Sequence, residues 1–299
     1  MKKGFILVGF ATVVAVIGVY AVAKMAKPTS AQDVAATKIA ASRSAVSAGR
    51  AQAAQTETGL GQGMEALEKA AKSDKYEFVL FYRDDNDSMR SAASAVESAK
   101  RRATRKADWI AVNINDPAEK DIVRRFNADR APMPLVLAIA PNGAVTGSQM
   151  GIVDENKLAD AIVSRGAEQT LKALQQRKSV LLAVQGRKTS ENSAAMKGLQ
   201  DFKADPKYGM GTEIVTVDPS DPAESKFLSQ LKIDPNTSVA TTVFLAPQGS
   251  TVATFKGATQ KQQLVASLQA AQSKSGGCCP PGSGKTCGPT PTPTKGKVK

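Results

Sequence analysis

Three cysteines near the C-terminus carry the most reactive side chains of this chain. Cys278 and Cys279 are adjacent, Cys287 follows, and glycine, proline and lysine surround all three. An odd number of thiols in an exported protein leaves at least one for an intermolecular disulfide or another use. Three thiolates could also hold a soft metal such as Cu(I) or Zn²⁺, although a closed zinc site needs four ligands. The sequence leaves disulfide formation, metal ligation and no defined role open.

The segment between these cysteines has some features of a phosphate-binding loop. Residues 280–286 read PPGSGKT, but the full pattern G-x-x-x-x-G-K-[ST] requires a glycine where this chain has Cys279. Such a loop also opens a helix whose N-terminus holds the phosphates. The following residues, 288–293, read GPTPTP and cannot form a helix. We therefore expect no nucleotide binding and interpret the segment as a spacer.

The chain contains no histidine, which removes several classes of site. Ser-His-Asp and Cys-His catalysis and imidazole metal ligation are excluded. The net charge of +13 is concentrated at the ends, with +5 in residues 1–62, +3 in residues 63–273 and +5 in residues 274–299. No aromatic residue interrupts the basic tail, so stacking on nucleic-acid bases is unsupported. Basic ends favour anionic partners such as lipid headgroups, acidic polymers or nucleic acid. We expect a solvated, membrane-proximal or solubilising role rather than a specific nucleic-acid site.

The N-terminus has the pattern of a membrane segment. Residues 4–23 are uncharged and mostly apolar, with lysines on both sides. Twenty helical residues span about 30 Å, the thickness of the hydrocarbon core of a bilayer. This predicts a signal anchor over residues 1–27, with cleavage after Ala23 as the alternative. In both cases we expect the rest of the chain to lie outside the cytoplasm, in a cell envelope or secreted.

The body of the chain repeats itself after an Ala/Ser/Gln-rich stalk, residues 28–62. Three blocks recur in the same order at nearly constant spacing, which predicts two copies of one domain. The matched blocks are residues 63–81 with 166–184, residues 110–119 with 215–224, and residues 133–143 with 239–249. The copies span residues 63–165 and 166–272, and residues 273–299 form a basic Cys/Pro/Gly-rich tail that we expect to be disordered.

Each copy shows one order of elements, α-β-α-β-α-β-β-α. In the first copy a helix over residues 64–72 leads to a strand over 77–82, then to a helix over 88–106 that Asp87 or Ser88 would cap. A strand over 109–114 is apolar on both faces, as in a buried parallel strand. DPAE at residues 116–119 starts a further helix. Strands over 135–140 and 144–149 form a hairpin, and a last helix runs from Asp154 to residue 164.

This order resembles the thioredoxin fold, an α/β mixed sheet with helices on both faces, and two such domains stand in tandem. The resemblance places Asn86 and Met89 where the family has the two cysteines of Cys-x-x-Cys, and Pro134 where it has a cis-proline. In the second copy Thr189 and Asn192 take the cysteine positions and Ala240 the proline position.

The missing cysteines decide the chemistry. Thiol–disulfide exchange needs a thiolate nucleophile and a resolving thiol, and no cysteine precedes Cys278. We expect redox-inert domains without a cofactor that act as a protein- or peptide-binding scaffold. The residues expected at the binding face are Tyr82, Asn86, Met89, Met133 and Pro134. The alternative is a thiol-redox or soft-metal protein that works through Cys278, Cys279 and Cys287.

Overall fold

The computed structural model describes residues 61–104 and 106–275, and the chain divides between Gln176 and Arg177 into two compact units. The predicted anchor at residues 4–23, residues 28–60 of the predicted stalk and residues 276–299 of the predicted tail lie outside the described residues. The expected tail starts too early, because residues 273–275 still belong to the last helix, Lys261–Ser275. Within the described ranges, no helix has the length and apolar character that crossing a bilayer requires.

The first unit has a four-stranded mixed sheet in the order β2-β1-β3-β4, with β1 parallel to β2 and antiparallel to β3. The sequence predicted this succession of elements. Up to residue 160, they are α1 (Gln62–Lys72), β1 (Tyr76–Tyr82), α2 (Asp87–Arg102), β2 (Ala107–Asn113), α3 (Lys120–Phe126), β3 (Leu135–Ile139), β4 (Val145–Met150) and α4 (Glu155–Asp160).

The central strand β1 explains why helices lie on both faces of this sheet. Phe78 and Leu80 are fully buried in a cluster with residues of α2 and α4, while Val79 and Phe81 are fully buried in a cluster with α1 and α3. Successive side chains of a strand point to opposite faces, so an uninterrupted apolar run needs a cover on each side. The predicted arrangement is confirmed.

The second unit repeats the arrangement in a sheet of order β6-β5-β7-β8. Its β5 is likewise parallel to one neighbour and antiparallel to the other. The elements after residue 160 are α5 (Arg165–Gln175), β5 (Ser179–Val184), α6 (Asn192–Lys203), β6 (Thr212–Val217), α7 (Ser225–Gln230), β7 (Thr241–Leu245), β8 (Thr251–Lys256) and α8 (Lys261–Ser275).

The repeated DPAE motif has a role beyond starting a helix. Asp116 caps a short 3₁₀ turn, Pro117–Glu119, and α3 follows it. The buried carboxylate of Glu119 accepts hydrogen bonds from the backbone N–H of Gly63, with the nearer oxygen at 3.0 Å. A Cβ at Gly63 would lie 2.8 Å from this carboxylate and 2.9 Å from the Ile122 side chain, so a larger residue would displace them. The glycine and the glutamate of the repeat are therefore linked by one contact between α1 and the loop before α3.

The last helix of the first copy is shorter than predicted because a tyrosine binds the chain beyond it. Asp154 caps α4 as expected, but the helix ends at Asp160 rather than at residue 164. The buried hydroxyl of Tyr76 accepts a hydrogen bond from the N–H of Val163 at 3.0 Å, and Ser164 then caps α5. These bonds hold residues 163 and 164 outside any helix.

Helix α5 opens the second sequence copy but belongs to the first unit. The Tyr76 hydroxyl donates to the carboxylate of Glu168 at 2.6 Å. The side-chain amide of Gln175 pairs with both backbone groups of Val145 on edge strand β4, accepting at 3.0 Å and donating at 2.6 Å. Leu171 packs on the core cluster that contains Tyr76. Helix α5 thus covers part of an edge that would otherwise expose unpaired backbone groups.

Replacing Tyr76 with Phe should destabilise the first unit by about 1–3 kcal/mol, because the N–H of Val163 and the carboxylate of Glu168 lose a buried partner. Trp109, the only tryptophan, lies in β2 and reports unfolding of this unit by fluorescence in urea. The matched control is Tyr82→Phe, which removes a hydroxyl that makes no hydrogen bond with the described residues. Equal stability of the two variants would contradict this role of Tyr76.

One carboxyl group is buried in the first unit without a partner. Glu77 on β1 is 3% exposed, and its side chain makes no hydrogen bond or ion pair with the described residues. Burial, followed by the nearby charge of Asp108, raises the pKa of Glu77 from 4.5 to about 7. Burial disfavours the charged form of an acid, so ionising Glu77 costs folding free energy.

The stability of the first unit should therefore fall as the pH rises from 4.5 to about 7 and then level off, because the unfolded state ionises Glu77 first. The variant Glu77→Gln should be more stable than the parent chain near pH 8, by up to about 3 kcal/mol. This advantage should vanish near pH 4. Urea unfolding followed by Trp109 fluorescence measures the difference, with exposed Glu68→Gln as the control. A pH-independent difference would refute the assignment.

Candidate functional site

The predicted site residues of the first copy lie at one end of its sheet. Tyr82 ends β1, and Phe81 pairs with Leu135, so Pro134 follows the same edge one residue further along. Asn86 and Met89 lie where α2 begins. We name this end of the first unit, defined by Tyr82, Asn86, Met89, Met133 and Pro134, the loop face.

The start of α2 is held by polar contacts. The Asn86 side chain caps the helix, accepting from the N–H of Met89 at 3.0 Å, so the prediction of Asp87 or Ser88 as the cap was wrong. Asp87 pairs instead with Arg90, whose guanidinium also binds Asp85 at 2.7 Å. Asp87 is the first residue of α2, so the cap position is the preceding residue, Asn86, whose side-chain oxygen satisfies a free N–H group of the first turn. The two residues at the cysteine positions, Asn86 and Met89, are therefore joined by the hydrogen bond of a helix cap.

The Met133–Pro134 peptide bond is cis, as the resemblance implied. The carbonyl of Pro134 accepts from the N–H of Gly151 at 2.8 Å, which joins it to the end of β4. The N–H and C=O groups of Met133 make no hydrogen bond with the described residues. Met133 lies just before β3, and free backbone groups there could pair with an extended segment.

Two exposed apolar side chains beside Pro134 were missed by the sequence reasoning. Met150 is 49% exposed and pairs in register with Leu135, and Ile152 is 95% exposed just beyond Gly151. Exposed apolar groups next to an unpaired strand edge indicate an interaction surface. A comparison of the two copies could have identified both residues, since the equivalent positions of the second copy hold Lys256 and Ala258.

The second unit replaces its dithiol by a hydrogen-bonded pair. The hydroxyl of Thr189 lies 2.6 Å from the side-chain oxygen of Asn192. The N–H of Gly186 donates to the Thr189 hydroxyl at 2.8 Å, and the Asn192 amide donates to the Gly186 carbonyl at 2.8 Å. Thr189 is buried, so every polar atom of this turn needs a partner. The pair therefore stabilises the loop before α6.

The strand edge beside the proline position is occupied in the second unit. Ser190 forms a parallel bridge with Val239. The N–H of Ser190 donates to the carbonyl of Ser238 at 2.9 Å, and the N–H of Ala240 donates to the carbonyl of Ser190 at 3.0 Å. Proline has no N–H, so the last of these bonds cannot form at Pro134. The face that is open in the first unit is closed by the chain's own loop in the second.

No group of three or more His, Cys, Asp or Glu side chains with metal-binding geometry occurs among the described residues. Cys278, Cys279 and Cys287 lie outside these residues, so the disulfide and metal interpretations of the tail stay predictions.

The variant Thr189→Val should destabilise the second unit by about 1–3 kcal/mol, because Gly186 and Asn192 lose a buried partner while the side-chain shape is kept. Urea unfolding followed by circular dichroism measures the effect, and Thr251→Val on the exposed end of β8 provides the control. Indistinguishable unfolding curves for the two variants would exclude a stabilising role for this network.

No protein-family model matches the chain, and no curated protein matches it. Several solved structures do. The zinc-bound form of human ERp44 is 12% identical, covers 70% of this chain and 59% of its own, and has a TM-score of 0.30. The first two thioredoxin domains of Saccharomyces cerevisiae Eps1p are 10% identical over 70% of this chain and 96% of that chain, with a TM-score of 0.26.

A mutant thioredoxin from Halobacterium salinarum is 17% identical over 34% of this chain and 84% of that chain, with a TM-score of 0.29. These identities and TM-scores are low. The resemblance of each unit to the thioredoxin fold rests on its own strand order and helix positions and, in the first unit, on the cis-proline. The two mixed sheets fit tandem thioredoxin-like domains.

Proposed function

We propose that this chain is a non-catalytic, thioredoxin-like binding protein whose loop face captures an extended polypeptide segment. The observation that carries the proposal is the free backbone of Met133 beside the cis peptide bond to Pro134. A segment that runs along this edge would gain two main-chain hydrogen bonds, which give affinity without regard to sequence.

The side chains around Met133 determine which kind of polypeptide segment can bind. Met133 is half-buried, while Met150 and Ile152 are exposed, so these side chains form an apolar surface. Methionine adapts its shape to different apolar partners and is common at promiscuous binding surfaces. The captured segment is therefore one with apolar side chains next to the bonded backbone.

The residues at the cysteine positions argue against disulfide chemistry in the two units. Asn86 and Met89 in the first unit, and Thr189 and Asn192 in the second, supply neither the thiolate nucleophile nor the resolving thiol. The hydrogen bonds at these positions give them a structural role instead. Purified residues 61–275 should accordingly give no insulin-reduction turnover.

The binding function belongs to a cell envelope in this proposal. The apolar residues 4–23 would anchor the chain in the membrane and carry the units outside the cytoplasm, and the basic charge at both ends would favour anionic lipid headgroups.

The alternative of thiol-redox or metal chemistry depends on Cys278, Cys279 and Cys287. Thiol titration and metal analysis of the full chain, before and after these residues are changed to Ser, test it directly. Stoichiometric metal or a cysteine-dependent activity would favour this alternative over a pure binding role.

Substitutions at the loop face should weaken capture of an unfolded chain. The probe is fluorescein-labelled α-lactalbumin, reduced and carboxymethylated so that it stays unfolded without thiol exchange, and fluorescence anisotropy measures its binding. We expect Met133→Asp and Ile152→Glu each to reduce the affinity about tenfold or more, a loss of about 1.4 kcal/mol, because a charge replaces an apolar contact.

Val239→Asp is the matched control, since residue 239 is the equivalent of Met133 on the closed face of the second unit. It should leave the affinity unchanged. An equal loss in all three variants, or no binding by the parent chain, would overturn the proposed site.

A further inference from the structure

The outer edge of β2 has backbone groups that stay unpaired among the described residues. Strand β2, Ala107–Asn113, pairs only with β1 in its sheet. The C=O of Lys106 and the N–H of Ile114 bond to β1, and the backbone groups of successive residues in a parallel strand point alternately to its two sides. The N–H and C=O groups of Ala107, Trp109 and Ala111 therefore point away from β1, and they make no hydrogen bond with the described residues.

The other sheet edges of the described chain carry features that oppose the addition of a further strand. Edges β4 and β8 belong to strand pairs whose register shifts, and Gln175 also bonds the backbone of Val145 on β4. Edge strand β6 carries a carboxylate held by two lysines. Register shifts and charged side chains protect an edge. Strand β2 keeps one register with β1 over its whole length, and after Asp108 its residues 109–111 are uncharged and half-buried.

Two copies of β2 fit each other in antiparallel register about a two-fold axis at Ile110. Residue 110 is the middle of the strand, so the two strands overlap completely and their outward-pointing backbone groups face each other. Trp109 then lies opposite Ala111, a large side chain beside a small one. The two Ile110 side chains meet on the axis as a non-hydrogen-bonded pair, the closest kind of cross-strand pair.

The charges that flank β2 are complementary in this register. Lys106 precedes the strand and Asp116 follows its end, both are exposed, and neither forms an ion pair with a described residue. Antiparallel pairing brings Lys106 of each copy to the end of β2 in the other, where Asp116 lies. Asp108 is opposite Val112, so like charges do not meet. Edge strand β6 lacks this pattern, because Gly211 takes the place of Lys106.

We propose that β2 is the contact strand of a homodimer in which the first units of two copies join their four-stranded sheets into one. The new backbone bonds continue the ladder β2-β1-β3-β4 across the axis. Any extended chain could supply backbone partners. A second copy also supplies the apolar pair at the axis and an opposite charge at both ends, since a two-fold contact uses one self-complementary surface twice. Dimer formation is independent of segment capture at the loop face.

A cysteine at residue 110 tests the contact and its register. The experiment uses the full chain in detergent, with Cys278, Cys279 and Cys287 changed to Ser. The variant Ile110→Cys places two thiols across the axis at a Cα spacing of about 4.5 Å, which a disulfide spans. Oxidation with copper phenanthroline should give a reducible dimer at least about tenfold faster than in the controls, because the two thiols are held together. Electrophoresis without reductant measures the dimer.

Two cysteine variants of the same chain are the matched controls. Asn113→Cys lies on the same strand but about 20 Å from its counterpart in this register. Thr216→Cys lies exposed on edge strand β6 of the second unit. Equal rates in the three variants would indicate random collision, and a slower or absent dimer with Ile110→Cys would exclude the register. Either result overturns the proposal.

Sedimentation of the full chain without added cysteines gives an independent measurement. Ala111→Pro removes an N–H that points away from β1 and keeps the bonds to β1, so it should abolish the dimer. Lys106→Glu places two acids together and should weaken the dimer about tenfold or more. Lys157→Glu, the same charge change on α4, should have no effect. Circular dichroism checks that each variant is folded.

A monomer at all concentrations would refute the homodimer. Unchanged association in Ala111→Pro or Lys106→Glu, or an equal loss in Lys157→Glu, would show that another surface joins the copies. Each of these outcomes is distinct from a failure of segment capture, which the anisotropy measurement reports.

Discussion

The pairing of β1 on both sides is the constraint on which the rest of the first unit depends. Its backbone is bonded to β2 in parallel and to β3 in antiparallel register, and its side chains are covered on both faces. Because one neighbour runs parallel and the other antiparallel, the end of β1 meets the end of β2 and the beginning of β3. That geometry brings the start of α2 next to Pro134, and it leaves the opposite end of β1, with Glu77, beside α1 and the β3–β4 turn.

The two units show how one backbone hydrogen bond separates an open face from a closed one. Ala240 has an N–H group, and the carbonyl of Ser190 takes it, so the loop before α6 lies along the strand edge. Pro134 has none, and the corresponding loop of the first unit makes no backbone hydrogen bond with Met133. The residue at this one position therefore decides whether the bond to the loop can form.

The fold could be predicted from the sequence because its signals are local and occur twice. The apolar runs, the DPAE cap, the PNG turn and Pro134 each indicate an element on their own, and the repeat confirms their order. The cap at Asn86 and the early end of α4 could not be predicted, because they depend on particular contacts, the bond from Met89 to Asn86 and the bond from Val163 to the Tyr76 hydroxyl. The exposure of Ile152 and the lack of a partner for Glu77 depend in the same way on what surrounds each residue in space.

The hydroxyl–amide pair of Thr189 and Asn192 gives the second unit a property that a disulfide in the same place would lack. A disulfide forms only when an oxidant removes two electrons. The fraction of molecules that contain the disulfide therefore depends on the redox potential of the surroundings. A hydrogen bond needs no electron acceptor. The loop before α6 therefore keeps one geometry in oxidising and reducing compartments alike, and its rigidity is independent of any oxidation machinery during biogenesis.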